Sequence, residues 1–362
     1  MDQDFATDDT LPRAAEPARD LRRVASHPDH WYPVALSREL KAGAVLATRF
    51  AGDPIVLARP KDGGPVFALE DRCAHRQVPL SQGLLEGDTI RCGYHGWAYG
   101  CHGRCVDVPY LGKDKLPNGV RSYPVHEADG LILVFPGDPA KMASVPPPQL
   151  GRAANPKYKT RRFGRPVACH YSFMHENLMD MNHQFLHRKQ MGQMVPRFRG
   201  RRQGEDWVEA KYTFSRAGGK QPLGEAAIFG QRRGLSHDSA DRDMMTIRTE
   251  YPYQTLRIVT NDAENPVMDL WIAYTPQDAL QRTNRVFGLL SIQRPKIPGL
   301  LDAAWPLLVI FTERIFREDR EIVEQEQAAH DAQGGDWNQE VFPVIRDLRK
   351  LLAERGAETI GA

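Results

Sequence analysis

Cys73-Ala-His-Arg-Gln-Val-Pro-Leu-Ser-Gln-Gly-Leu-Leu-Glu-Gly-Asp-Thr-Ile-Arg-Cys-Gly-Tyr-His-Gly-Trp97 decides the reading of this chain. It holds two short pairs, Cys73 with His75 and Cys92 with His95, separated by sixteen residues. Each pair joins one thiolate to one imidazole, and two loops can each present one pair. Two Cys and two His suit either a tetrahedral zinc ion or a 2Fe-2S cluster in which one iron takes both thiolates and the other both imidazoles. A Cys2His2 zinc finger groups Cys with Cys and His with His. Here each pair is mixed, so each loop gives one ligand to each iron, and the spacing selects the cluster over zinc and over four side chains that merely pack.

The rest of the composition sets the frame. With 362 residues, 41% of them hydrophobic, the chain can build two packed domains. Forty-eight basic against 46 acidic residues leave a net charge of +2. There is no long basic run to lie along a phosphate backbone, so no nucleic-acid partner is expected. Five cysteines make no disulfide framework, and their alternation with histidine points to thiolates serving a metal in a reducing compartment. The first residues lack the apolar stretch of a secretory signal. The most apolar region, residues 300–311, is interrupted by Asp302 and Pro306 and falls short of the ~20 residues that span a bilayer. A cytoplasmic protein without a transmembrane segment is expected.

The expected fold class is α+β. Residues 1–28 read as an arm, with structure starting near Trp31. Residues 29–140 read as a small antiparallel β domain, because β-prone runs such as 44–50, 54–58 and 130–135 alternate with Gly, Asp and Pro turns. A Pro-rich stretch around Val145-Pro-Pro-Pro148 forms the linker. Residues 141–362 read as a second domain, an antiparallel sheet flanked by helices. Its expected elements are a helix over 173–187, strands at 207–214, 245–259, 267–275 and 285–292, a long loop at 216–242, and helices over 303–329 and 340–354.

On a helical wheel of about 100° per residue, the segment around residues 174–187 shows two opposed stripes. Met174, Leu178, Met181 and Phe185 form one; Glu176, Asp180, His183 and His187 form the other. A solvated helix face is the plain alternative for the polar stripe. That stripe contains no Lys or Arg, however, and His183 and His187 at i and i+4 can point at one metal. A mononuclear Fe(II) held by two His and one carboxylate needs a third ligand and keeps positions open for O2. On the later acidic helix, Leu308, Phe311, Ile315, Ile322 and Val323 form an apolar stripe with Asp319 near its centre, while Glu313, Glu321 and Glu324 fall outside. A buried carboxylate costs several kcal/mol without a cation. Asp319 is therefore the expected ligand, with Glu326 as fallback.

The pattern Cys73-x-His75, sixteen residues, Cys92-x-x-His95-Gly-Trp97 resembles the Rieske motif of the ring-hydroxylating oxygenases. Arg76 and the stretch 100–109, with Cys105 and Pro109, resemble the same domain. Asn177-Leu-Met-Asp180-Met-Asn-His183 and Glu318-Asp319-Arg320 are similar to that family's AsnxxAspxxHis element and its late-helix carboxylate. The family usually places four residues between its two His; this chain has three, which on a regular helix aligns the rings better. Cys101 and Cys105 lie outside the ligand loops and read as buried free thiols rather than as the loop disulfide of some respiratory Rieske proteins.

The resemblance implies a 2Fe-2S cluster and a mononuclear Fe(II) in one terminal oxygenase component of the homotrimeric monooxygenase and demethylase branch. It implies catalytic roles beside the ligands for Asn177 and Asp180. Asp180 would link the cluster ligand His95 or His75 of one subunit to the mononuclear site of the next; an ordinary helix-end carboxylate is the alternative. No GxGxxG fingerprint follows a predicted strand, so electrons come from a separate NAD(P)H-dependent reductase, with or without a ferredoxin. The expected reaction is hydroxylation or oxidative demethylation of an apolar or aromatic small molecule, with pocket walls from residues 251–290 and 305–311. An electron carrier lacking the second iron, a cis-dihydroxylating dioxygenase and a desaturase are the competing functions.

Overall fold

The computed structural model describes residues 20–109, 111, 116–117, 119–218, 244–260 and 265–357. Three small antiparallel sheets come first. They are β1 (Tyr32–Leu36), β11 (Leu131–Val134) and β10 (Val125–Ala128); β2 (Ala44–Phe50), β3 (Asp53–Arg59), β4 (Phe67–Glu70) and β9 (Ser122–Tyr123); and β5 (Leu84–Glu86), β6 (Thr89–Arg91), β7 (Ala98–Gly100) and β8 (Cys105–Asp107). The expected strands at 44–50, 54–58 and 130–135 are among them.

The remainder is a seven-stranded antiparallel sheet with helices on one face. Its spatial order is β12 (Tyr158–Val167), β18 (Asn284–Gln293), β17 (Met268–Pro276), β16 (Tyr253–Val259), β15 (Met244–Glu250), β14 (Trp207–Gly218) and β13 (Gln193–Gln203). The central strands are covered on both faces, which is why β17 reads as an unbroken apolar run rather than an alternating one. Leu270, Ile272 and Tyr274 join the core beneath the helices, while Trp271 and Ala273 pack with Trp31, Leu131, Leu133 and Phe135 of the three-stranded sheet. Gly288 on β18 is required by close approach, since a Cβ there would lie 2.1 Å from the Phe163 ring.

Four helices are described: α1 (Tyr171–Met179), α2 (Arg188–Met191), α3 (Leu300–Gln333) and α4 (Pro343–Arg355). Gly334 closes α3 in the left-handed conformation, and Pro343 opens α4 where no intrahelical N–H is lost.

Two expectations fail, and two strands went unread, for physical reasons. The helix expected over 173–187 stops at Met179, because Asp180 turns to extended backbone (φ −91°, ψ 96°) and its side chain accepts from the Asn182 N–H. Asp competes in this way with helix continuation, and a 3-10 turn, Met181–Phe185, follows. Phe185, placed on the apolar stripe by the wheel, is consequently 74% exposed. The expected loop at 216–242 begins later, since β14 runs to Gly218; its remainder lies outside the described residues. Strands β12 and β13 were hidden by their many arginines, which on β13 decorate a sheet edge.

Structure also begins before Trp31, although residues 1–19 of the expected arm lie outside the described residues. Leu21 and Val24 pack into the core of the seven-stranded half, and Ala25 bridges to Ala357. The Arg22 guanidinium is fully buried, lies 2.8 and 3.0 Å from the two Glu176 carboxylate oxygens, and stacks 3.7 Å from the Phe173 ring centroid. Arg349 takes the other side of Glu176 at 3.0 Å. Removing one partner of a buried pair costs about 3–5 kcal/mol. Arg22→Ala is expected to fall at the low end, about 3 kcal/mol, because Arg349 remains. Denaturant titration checks this; a loss below about 1 kcal/mol would show that Arg349 alone satisfies Glu176.

Candidate metal centres

Each cysteine-histidine pair sits in a tight turn whose backbone closes on the cysteine. Cys73 receives the Gln77 N–H at 2.9 Å and donates to Val78 O at 2.9 Å; Cys92 receives the Gly96 N–H at 3.1 Å and donates to Trp97 O at 2.8 Å. Both turns need a left-handed residue, Gln77 at φ 62° and Gly96 at φ 73°. The thiols of Cys73 and Cys92 are buried, while His75 and His95 are exposed with ring centroids 4.7 Å apart. His75 stacks flat on Trp97 at 4.6 Å.

The donor chemistry fits a cluster. Burial pushes the Cys92 thiol up, so a thiolate there is favoured only beside a positive centre. The Tyr99 hydroxyl oxygen accepts from the Ala74 N–H at 3.1 Å, which leaves its proton for the Cys73 sulfur 3.2 Å away. Among the described residues, no three donors of this set lie within 4.8 Å of one another. A single shared ion fits that spread poorly, and a two-iron cluster fits it. Cys101 and Cys105 are free thiols; Cys105 is buried, whereas Cys101 is only half-buried.

A second set does close on one point. The donor atoms of His183, His187 and Asp319 all lie within 4.8 Å of one another. The two rings stand 5.2 Å apart at 87°, and their Nε2 atoms lie 3.7 and 3.2 Å from Asp319 Oδ1. His187 Nε2 is buried without a hydrogen-bond partner, an orphan that an ion would satisfy. His183 Nδ1 contacts Asp180 O at 2.6 Å, and His187 Nδ1 contacts Glu318 Oε2 at 2.8 Å. Asn177 Nδ2 donates to Asp319 Oδ1 at 3.0 Å. Burial works to raise the Asp319 pKa, but His187, His183 and Asn177 outweigh it and hold the carboxyl below its ordinary value. Burial likewise disfavours a charged His187, and Asp319 with Glu318 reverses that effect.

The three-residue spacing between the two His therefore works through a 3-10 turn, not through the regular helix on which it was argued. The wheel also misassigned two members of its polar stripe. Glu176 turns away to Arg22 and Arg349. Asp180 holds His183 through its backbone carbonyl, while its half-exposed carboxylate caps the turn at Asn182. Glu326, the fallback, is exposed and outside the three-residue group. Glu318 and Tyr99 were missed; adjacency to Asp319 was the available signal for the first.

A cavity of about 130 Å³ opens beside His183, His187 and Asp319. Its walls include Met181, Met191, Met245, Met268, Ile258 and Phe311, and among the described residues no Lys or Arg lines it. Phe311 and strands β16 to β18 were expected there. Trp305 instead lies under the Lys159 ammonium, 4.7 Å away. A larger cavity of about 320 Å³ shares Leu178, Phe316 and Asp319 and carries Arg165, Arg317 and Arg320.

Residues 30–124 match the Rieske 2Fe-2S domain, and residues 167–344 match the vanillate O-demethylase oxygenase C-terminal domain. The chain is 31% identical to a 4beta-methylsterol monooxygenase from Methylococcus capsulatus, over 95% of this chain and 91% of that protein. It is 40% identical to the oxygenase component of dicamba O-demethylase from Stenotrophomonas maltophilia, over 44% and 47% of the two chains. The crystal structure of dicamba monooxygenase bound to dicamba superposes with a TM-score of 0.71 at 25% identity, covering 91% of this chain and 97% of that one. The chain belongs to the Rieske non-heme iron oxygenases. It is a terminal oxygenase that carries a 2Fe-2S cluster and a mononuclear iron and that hydroxylates or demethylates its substrate. Among the described residues, no helix is long and apolar enough to cross a membrane.

Tyr99→Phe removes the hydroxyl proton aimed at the Cys73 sulfur. Hydrogen bonds to cluster sulfurs raise the reduction potential, so the variant is expected to have a lower midpoint potential with unchanged iron content. A redox titration followed by EPR checks this, and an unmoved potential contradicts it.

Proposed function

We propose that this oxygenase acts on a neutral, apolar, methyl-bearing molecule, with the cluster held by Cys73, His75, Cys92 and His95 and the mononuclear iron by His183, His187 and Asp319. The observation that carries the substrate class is the cavity beside the His-His-Asp group, whose walls are apolar and, among the described residues, hold no Lys or Arg to anchor a carboxylate. Four methionines give those walls an adaptable shape. The relative aligned along 91% of its own length is named for a methylsterol, which supports a neutral substrate over an acidic one. A space of about 130 Å³ suits the reacting end of such a molecule rather than the whole.

The bound metals supply electron delivery and O2 activation. The protein's part is positional. His183 and His187 are held through Nδ1, so that each offers Nε2 to the same point, and Asn177 fixes the carboxylate that completes the set. The apolar cavity excludes water from that point and orients the substrate by shape. The exposed pair His75 and His95 forms the accessible end of the cluster loops, and Asp180 is half-exposed beside His183. These two surfaces support a homotrimer in which Asp180 of one subunit meets His75 or His95 of the next. Reducing equivalents then arrive from a separate NAD(P)H-dependent reductase, directly or through a ferredoxin, in the cytoplasm. Residues 29–140 form the electron-receiving domain and 141–362 the catalytic one.

Three outcomes are expected. His183→Ala and Asp319→Ala should each lower iron from about three to about two atoms per chain while the cluster absorption persists; full iron in both would remove the assignment and leave an electron carrier. Asp180→Asn should retain all iron yet slow substrate-coupled O2 uptake by more than about tenfold, and normal turnover would sink the relay. With a surrogate reductase, neutral methylsterols and methyl ethers should couple O2 uptake to product better than aromatic carboxylates do; the reverse order would overturn the substrate class.

A further inference from the structure

The two imidazoles of the proposed iron site are held alike at one nitrogen but by partners of different charge. His183 Nδ1 meets a neutral backbone carbonyl, Asp180 O, at 2.6 Å. His187 Nδ1 meets the Glu318 carboxylate at 2.8 Å. A carbonyl and an ionised carboxylate can only accept, so both Nδ1 atoms carry the proton and both Nε2 lone pairs are free for a metal. Glu318 and Asp319 are adjacent on α3 and flank the same imidazole, Glu318 Oε2 2.8 Å from Nδ1 and Asp319 Oδ1 3.2 Å from Nε2. The His187 side chain between them is 1% exposed.

Glu318 is also left for this contact by its surroundings. Other carboxylates of α3 are tied elsewhere: Glu313 pairs with Arg161 and Arg165, and Glu324 accepts from the Ala168 N–H. The ion partner found for Glu318 among the described residues is His187 alone. Asp319 brings one negative charge and two neutral imidazoles bring none, so a ferrous ion on these three ligands retains a net positive charge in a largely buried setting. A second carboxylate in contact with one ligand offsets it.

We propose that Glu318 is a positioning residue that fixes His187 as an Nε2 ligand and supplies the second negative charge that balances the ferrous ion, making His187 the stronger of the two imidazole donors. The proposal rests on His183, His187 and Asp319 being the iron ligands. Its consequence is directional: a carboxylate behind an imidazole favours the higher-charged ferric state and so lowers the potential of the mononuclear site.

The test uses the full chain with its cluster loaded. Glu318→Gln can still accept from Nδ1–H but has no charge; Glu318→Ala loses both. Competition with an iron chelator should show Fe(II) affinity weakened about tenfold in Glu318→Gln and nearer a hundredfold in Glu318→Ala. The Fe(III)/Fe(II) midpoint potential of the mononuclear site should rise in Glu318→Gln, while the cluster's own potential and absorption stay unchanged. His187→Ala serves as reference and should lose the mononuclear iron outright. Glu318→Gln matching the parent in affinity and potential, with His187→Ala iron-depleted, would overturn the role given to Glu318. Full iron in His187→Ala would instead overturn the ligand assignment beneath it.

Discussion

A carboxylate set into the apolar stripe of a long helix is the constraint around which the catalytic half is arranged. Asp319 leaves water when α3 packs on the sheet, and burial alone would drive it toward the neutral acid. It stays below the ordinary carboxyl pKa because the chain from α1 onward delivers Asn177, His183 and His187 to it. Helix α1, the 3-10 turn after it and α3 therefore cannot be placed independently. Their mutual position is set by where three donors meet one acid, and the metal that fits there takes over a charge balance the protein has already prepared.

That meeting depends on a broken helix. A continuous helix from Phe173 to His187 would put Glu176, Asp180, His183 and His187 on one face, and Glu176 would compete for the same space. The break at Asp180 separates two tasks. Before it, α1 turns Glu176 into the arginine pair that ties the helix to residue 22 and to α4. After it, the tighter turn presents both imidazoles to α3. The Asp180 carbonyl released by the break becomes the partner that orients His183.

The cluster loops were legible in the sequence because their information is local: two residues within four positions, twice, in turns closed by their own backbone. Asp319 was legible as well, since a lone acid in an apolar stripe is anomalous at the level of a helical wheel. What could not be read depends on contacts between distant segments. The Arg22 to Glu176 pair spans 154 positions, and β12 finds its place only through pairing with β18. Glu318 stands beside Asp319 in sequence, but its partner His187 lies 131 positions away, beyond a break in the helix that a regular wheel does not show. Sequence periodicity describes regular elements well, and this site is built where regularity ends.

The path of the chain has a mechanical meaning. Residues 20–26 lie against α1, α4 and the end of the seven-stranded sheet; the chain then enters the three small sheets and returns at β12. The electron-accepting part is thus an insert, stitched to the catalytic part at both its ends and glued along a shared layer of Trp31, Phe135, Trp271 and Phe287. The junction is thus made of two chain crossings and one packed apolar layer, so the Pro-rich stretch at 145–148 is only one of the ties between the two parts.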